Sequence, residues 1–239
     1  MAKPPKADRA NDRFPAPKRS CSGVTDMTPR NVKRFVVAVM AVTMAMSSVL
    51  AALVPPDVLV KQTVNEVLEL IRTDKKVQAG DVDRIAEIME QKIAPHFDFP
   101  RMTRLAVGRP WRQATPEQRS ELVSEFRTLL IRSYASAFTM FKAIVVEYKP
   151  LRLAPDATDA TVNTLIRLPG GAQPVSVDYD MQITDGQWKV FDVRIDGASL
   201  IINYRNIFSQ EIQRGGIEGL IESLKQKNAG TVATGAKPQ

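Results

Sequence analysis

Along residues 57–141 apolar side chains recur at three- and four-residue intervals, and from 143 to 195 the interval falls to two. The chain therefore reads as helices followed by strands. In "DVLVKQTVNEVLELIRTDKK" the residues Val60, Val64, Val67, Leu68 and Ile71 share a helical face behind Asp57, a cap candidate. "DVDRIAEIMEQKIAPHFDF" repeats the pattern through Ile85, Ile88, Met89 and Ile93 until Pro95 ends or bends it. "PRMTRLAVG" predicts a short helix stopped at Gly108. Thr115-Pro116-Glu117-Gln118 predicts the firmest boundary in the chain, with a capping threonine, proline at the first helical position and glutamine three residues after the cap. The helix it opens runs through Leu122, Phe126, Leu129 and Leu130 towards Phe141.

"AIVVEYKPLRL", "ATVNTLIRL", "QPVSVDYDMQIT" and "QWKVFDVRI" then predict four strands separated by Pro155-Asp156, Pro169-Gly170-Gly171 and Asp185-Gly186. Val175, Val177, Tyr179, Met181 and Ile183 share one face of the third, and Phe191, Val193 and Ile195 one face of the fourth. Asp185-Gly186 closes a hairpin between them. Asp196-Gly197 turns the chain into two helices separated by Gly215-Gly216, and from Asn228 a loose tail is expected. This order predicts an α+β domain with helices packed on one face of a twisted, roughly four-stranded antiparallel sheet. Its domain spans 52–228, with 229–239 as tail.

Net charge changes the picture only at the front. The whole chain carries +7, but residues 1–52 hold nine Lys/Arg against three Asp/Glu, leaving 24 against 23 from residue 53 onward. Arg30, Lys33 and Arg34 precede the uncharged run "FVVAVMAVTMAMSSVLAAL", and Pro55-Pro56 follows it. These features outline a signal peptide over 27–51 cleaved after Ala51 or Ala52, and so an exported, periplasmic protein. Residues 1–26, rich in Pro, Lys and Arg, predict a disordered extension, with Met27 as an alternative start. The only cysteine, Cys21, lies in that extension. The remaining chain has no thiol and the single histidine His96, which excludes disulfides, zinc–thiolate sites and multi-histidine metal sites there. No cofactor is expected.

Candidate chemistry is sparse. No phosphate-cradling glycine motif and no G-x-S-x-G elbow occurs. Asp178 and Asp180 fall on the polar face of a strand, Asp196 belongs to a turn, and His96 reads as a loop histidine bonded to backbone. A small enzyme using Asp178, Asp180 or Asp192 as general base is the rival that these residues allow. A membrane-retained adaptor is a second.

Arg101, Arg104, Arg109, Arg112, Arg119, Arg127 and Arg132 raise the question of a phosphate-binding patch. On the long helix, Arg119, Arg127 and Arg132 project about 60°, 140° and 280° from Leu122 at about 100° per residue. They form no stripe, and nucleic acid is not an expected partner. The second half of that helix adds Ile131, Tyr134, Phe138 and Phe141 to its apolar arc, more than one sheet face covers. Burial by other helices or a ligand cavity each fits.

"FDFPRMTRLAVGRPWRQATPEQRSELVSEFRTLLIRSYASAF", "VDYDMQITDGQWKVFDVRIDGASLIINYRNIFSQEI" and "GGIEGLIESLKQKN" together resemble the MlaC, or toluene-tolerance, family over roughly residues 57–228. The resemblance implies a monomeric, non-catalytic periplasmic carrier whose cargo is phospholipid, held in an apolar cavity between sheet and helices. It implies two partners, an outer-membrane lipoprotein complex and an inner-membrane ABC transporter with an MCE-domain subunit, and a role in outer-membrane lipid asymmetry. On this reading the wall comprises Met102, Leu105, Phe126, Leu130, Tyr134, Phe138, Val177, Tyr179, Met181, Phe191, Val193, Leu200 and Tyr204.

Overall fold

Thr115 and Gln118 exchange the two hydrogen bonds that their spacing predicts. The Gln118 backbone N–H donates to Thr115 Oγ1 at 3.2 Å, and the Thr115 N–H donates to Gln118 Oε1 at 2.9 Å. That box opens the long helix α5 in a computed structural model that describes residues 53–138, 144–171 and 173–231. The expected extension over 1–26, the expected signal peptide over 27–51, Phe141, most of the expected tail and the side chain of Phe138 lie outside the described residues.

Four α-helices precede α5 among the described residues: α1 Pro56–Thr73, α2 Lys75–Gln78, α3 Val82–Ile88 and α4 Phe99–Val107. The first begins one residue before Asp57, which sits in its first turn, because Pro56 supplies a helix-ready φ at N1 and lacks the N–H that a cap would satisfy. Asp74, Asp81 and Asp98 cap the next three through backbone N–H groups. The helix expected through Ile93 relaxes after Ile88 into a π-turn over Met89–Ile93 and a 3-10 turn over Ala94–His96, which admits Pro95. Gly108, at φ 71°, ends α4.

After α5 (Pro116–Phe138) come β1 Val145–Tyr148, β2 Asp159–Arg167, β3 Val175–Thr184, β4 Gln187–Ile195 and β5 Ala198–Ser199. They form an antiparallel meander in the order β1-β2-β3-β4-β5. The fifth strand, two residues long, is the addition to the expected four. Asp185 (φ 51°) and Gly186 (φ 72°) join β3 to β4 with both central residues left-handed, as a hairpin matching strand twist requires. α6, Leu200–Thr231, kinks at Gly216, whose φ 66° and ψ −162° only glycine adopts freely, so the two expected helices share one continuous run. It also continues past the expected boundary. Asn228 is buried and donates through Nδ2 to the Glu125 carbonyl (3.0 Å) and carboxylate (2.7 Å), tying the end of α6 to α5.

β4 carries a bulge that decides which side chains face the helices. Asp180 pairs with Asp192 but Met181 pairs with Val190, which leaves Phe191 as the extra residue. Val193 and Ile195 therefore alternate with one parity and Trp188 and Val190 with the other, although all four lie on the inner face. Asp192, next to the bulge and still paired with Asp180, accepts from Ser199 Oγ at 2.5 Å and from the Ile201 N–H at 3.1 Å, fixing the start of α6. The outer sheet face is polar. There Asp180 accepts from Thr161 Oγ1 (2.7 Å) and Arg194 Nη1 (2.6 Å), and Asp178 from Asn163 Nδ2 (2.8 Å).

The main core lies between α5, α6 and the short helices. Phe126, fully buried, meets Phe208 and Tyr204 edge-on at 5.0 and 4.9 Å. A second cluster (Val60, Val162, Met181, Trp188 and Val190) packs between α1 and the sheet. Replacing Phe126 with Ala is expected to lower the unfolding free energy by about 3–5 kcal/mol through the cavity it leaves. Thr115→Ala, which removes one capping bond, is expected to cost about 1 kcal/mol. Urea denaturation of both variants checks the order; equal effects would contradict this placement of Phe126 at the centre of the core.

Candidate functional site

The inner sheet face and the helices do not close on each other completely. Between them lies a cavity of about 370 Å³, within the size range of small-molecule sites. α1 supplies Leu59, Val60, Thr63, Val64, Val67 and Leu68, and the segment around the π- and 3-10 turns supplies Met89, Ile93, Ala94, His96, Phe97 and Phe99. Met102 of α4, Leu130, Ile131 and Tyr134 of α5 and Leu200 of α6 continue the wall. Ile144, Val146, Ile166, Val177, Tyr179, Met181, Val190, Val193 and Ile195 complete it from the sheet side.

No Asp, Glu, Lys or Arg is among these lining residues. The titratable groups that do face the space stay neutral near pH 7. Burial pushes the Tyr179 hydroxyl up to about 12, reinforced by Tyr148 and opposed by a hydrogen bond with Thr164. The Tyr179 ring keeps some accessible surface because one side of it is cavity wall. Burial also raises the Tyr134 hydroxyl. His96 is lowered by burial and then by the Lys189 charge, against a smaller opposing effect of Glu66. Its ring makes no hydrogen bond among the described residues, contrary to the expected backbone partner. An uncharged, nearly hydrocarbon surface of this kind binds apolar chains by removing them from water and offers little to a charged or strongly polar ligand.

The structure brings Met102, Leu130, Tyr134, Val177, Tyr179, Met181, Val193 and Leu200 onto one wall. It places Leu105, Phe126, Phe191 and Tyr204 elsewhere. Phe126 and Tyr204 fill the aromatic cluster between α5 and α6, where burial pushes the Tyr204 hydroxyl up to about 12. Leu105 lies one turn beyond Met102 and packs on the main core. Phe191 is the bulge residue; it leaves the alternation of Val193 and Ile195 and packs under the Arg101 guanidinium at 3.9 Å.

Sequence reasoning missed the contribution of α1 and of the turns. The α1 signal was visible as an apolar face, yet a face that covers a core and one that covers a cavity have the same period. Asp178, Asp180, Asp192 and Asp196 are absent from the cavity lining. Asp178, Asp180 and Asp192 hold the bonds described above, and Asp196 accepts from the Ser176 N–H at 2.9 Å. Among the described residues no group of three or more His, Cys, Asp or Glu side chains is placed to hold a metal ion. None of the described helices is long and apolar enough to cross a membrane.

Known proteins share this architecture. A solved structure of a phospholipid-binding protein from Ralstonia solanacearum, in complex with a phospholipid, superposes with a TM-score of 0.70 at 38% identity, covering 75% of this chain and 99% of that one. The toluene tolerance protein ttg2D of Pseudomonas putida is 25% identical over 167 residues, 70% of this chain and 76% of that protein. The intermembrane phospholipid transport system binding protein MlaC of Haemophilus influenzae is 20% identical over 173 residues, 72% of this chain and 81% of that protein. The family model described as MlaC protein matches residues 61–226, α1 to the last turns of α6. The chain belongs to the MlaC family.

Proposed function

We propose that this protein is a periplasmic phospholipid carrier that encloses acyl chains between its inner sheet face and α1, α4 and α5, without catalysis. The observation that carries this reading is the wall itself, a cavity of about 370 Å³ with no ionisable carboxylate, amine or guanidinium on it. The lipid-bound Ralstonia solanacearum structure, similar over three quarters of this chain, supports the cargo. In this reading the signal peptide over 27–51 is cleaved and the exported chain acts as a monomer. It moves lipid between an outer-membrane lipoprotein complex and an inner-membrane ABC transporter with an MCE-domain subunit, sustaining outer-membrane lipid asymmetry. The name of the Haemophilus influenzae relative supports an intermembrane route.

The physics requires a container. Each CH₂ withdrawn from water contributes about 0.8 kcal/mol, so two enclosed acyl chains amount to a gross stabilisation on the order of 20 kcal/mol. A bilayer offers a comparable term, so a carrier competes only with a dry, complementary wall. Met89, Met102 and Met181 add unbranched thioethers that adapt to chains of varied shape. Val177, Tyr179, Met181 and Val193 hold the sheet side rigid through the β3–β4 ladder. A phosphate-bearing head group has no charged partner on the wall, which leaves it at the mouth in water. The enzyme reading finds no support in geometry, since the carboxylates it needs are bonded outside the cavity.

Native mass spectrometry of the purified protein, with lipid extraction, is expected to show bound phospholipid, and a protein empty in every preparation would contradict the reading. Val193→Glu and Tyr179→Glu place an anion on the wall and are expected to abolish co-purifying lipid, while circular dichroism confirms that each variant folds. A folded Val193→Glu protein with a full lipid load would remove this wall from the site. Lipid retention is expected to stay constant from about pH 7 to about pH 9, because His96 is neutral above its lowered value and Tyr134 and Tyr179 are neutral below their raised ones. A steep change across that window, measured by lipid content after dialysis, would show an unaccounted charge in the cavity.

A further inference from the structure

Six arginines gather around the turn that leads into α5, and of them only Arg119 lies on that helix. Arg101 and Arg104 lie one turn apart on α4, Arg109 and Arg112 lie in the following 3-10 turn, Arg119 lies on the first turns of α5, and Arg205 reaches in from α6. Backbone carbonyls bind this surface together. Arg205 donates through Nε and Nη2 to the Leu105 carbonyl at 2.9 and 2.7 Å, and Arg119 donates to the carbonyls of Trp111 (3.1 Å) and Arg112 (3.3 Å). None of these arginines forms an ion pair among the described residues. The guanidinium groups that do, on Arg84, Arg127, Arg167, Arg194 and Arg214, lie elsewhere.

Four carboxylates border this surface, and each accepts from neutral donors and keeps its charge, so the six guanidinium groups outnumber them. Asp98 caps α4 and accepts from Thr184, Asp192 caps α6, Glu218 accepts from Gln118, and Glu117 accepts from its own N–H and from Thr115. Arg104, Arg109 and Arg112 are exposed and their side chains have no hydrogen-bond partner among the described residues. One helical turn before Arg205, on the same face of α6, Ile202 is 58% exposed.

We propose that this surface is a docking site for an anionic phospholipid bilayer, with the arginines on head-group phosphates and Ile202 touching the interface. A protein interface of useful affinity is organised around a desolvated apolar or aromatic centre. Here the one exposed large apolar side chain is at the margin, and Trp111 and Phe191 lie beneath Arg119 and Arg101. A layer of mobile phosphates needs no such centre and no fixed register, and guanidinium groups bind phosphate with paired N–H donors. The surface reaches the cavity through the first turn of α6, where Leu200 lines the wall two residues before Ile202. Docking would therefore hold the carrier against a membrane while its cargo stays enclosed.

The test compares the full chain with its Arg104→Gln/Arg109→Gln/Arg112→Gln variant, each purified in the form the cell produces, so that any leader retained is common to both. Partition onto vesicles of phosphatidylglycerol and phosphatidylcholine at low salt is expected to fall about fivefold per arginine, on the order of 100-fold in all. Arg72→Gln/Lys75→Gln/Lys76→Gln, with the same loss of charge on α1 and α2, is expected to partition like the wild type. Vesicles of phosphatidylcholine alone are expected to bind none of them, and native mass spectrometry is expected to find cargo unchanged in all. Equal partition of the wild type and the Arg104 variant overturns the proposal, as does an equal fall in the α1–α2 variant, which would make the attraction a matter of net charge. No binding of the wild type to anionic vesicles overturns it too and leaves the arginines to an acidic protein surface. Loss of cargo with vesicle binding would assign the arginines to the cavity instead.

Discussion

The structure depends on keeping charge out of the space between the sheet and α1, α4 and α5. An isolated ion facing that space would require hydration in a volume of about 370 Å³ that is otherwise hydrocarbon. The charged side chains of β3 are bonded on the other side of the sheet. Asp178 and Asp180 turn outward to Asn163, Thr161 and Arg194, while Val177, Tyr179 and Met181, alternating with them, turn inward. Thr164, the fully buried hydroxyl on the inner face, is satisfied by the Val177 carbonyl at 2.8 Å. Strict alternation along β3 thus separates a hydrogen-bonded exterior from an apolar interior within one sheet.

The bulge at Phe191 serves the same constraint. Without the extra residue, alternation from Val193 would turn Phe191 and Lys189 inward and leave Trp188 and Val190 outside. With it, Trp188 and Val190 are buried on the inner face. Lys189 lies off the wall, where its ammonium donates to the Pro95 carbonyl at 2.5 Å and lowers the basicity of nearby His96. Asp192, next to the insertion, keeps its pairing with Asp180 and accepts from the Ile201 N–H at the start of α6. A single irregularity sets the wall and removes a cation from it.

Much of this was legible in the residues. The capping box at Thr115, the left-handed Asp185-Gly186 turn, the change of period from helix to strand and the inward set of β3 follow from local chemistry and recur unchanged in the structure. Periodicity carries no mark of an inserted residue, so alternation alone puts Phe191 on the wall. An apolar helix face does not state whether its neighbour is another helix or empty space, so the sequence alone puts Phe126 and Tyr204 there too. Arg119, Arg127 and Arg132 diverge along one helix; the basic surface instead joins Arg119 to arginines of α4, the following turn and α6, and no single-element pattern contains that.

The central claim is that acyl chains occupy the cavity between α1 and the inner sheet face. A phospholipid carrying a photoactivatable group at the end of one acyl chain, loaded onto the protein, irradiated and mapped by peptide mass spectrometry, tests it most directly. Adducts are expected on the peptides that carry Val64, Met102, Tyr179 and Met181. Adducts confined to the outer sheet face around Arg194, or to the surface around Arg104 and Arg109, would contradict it.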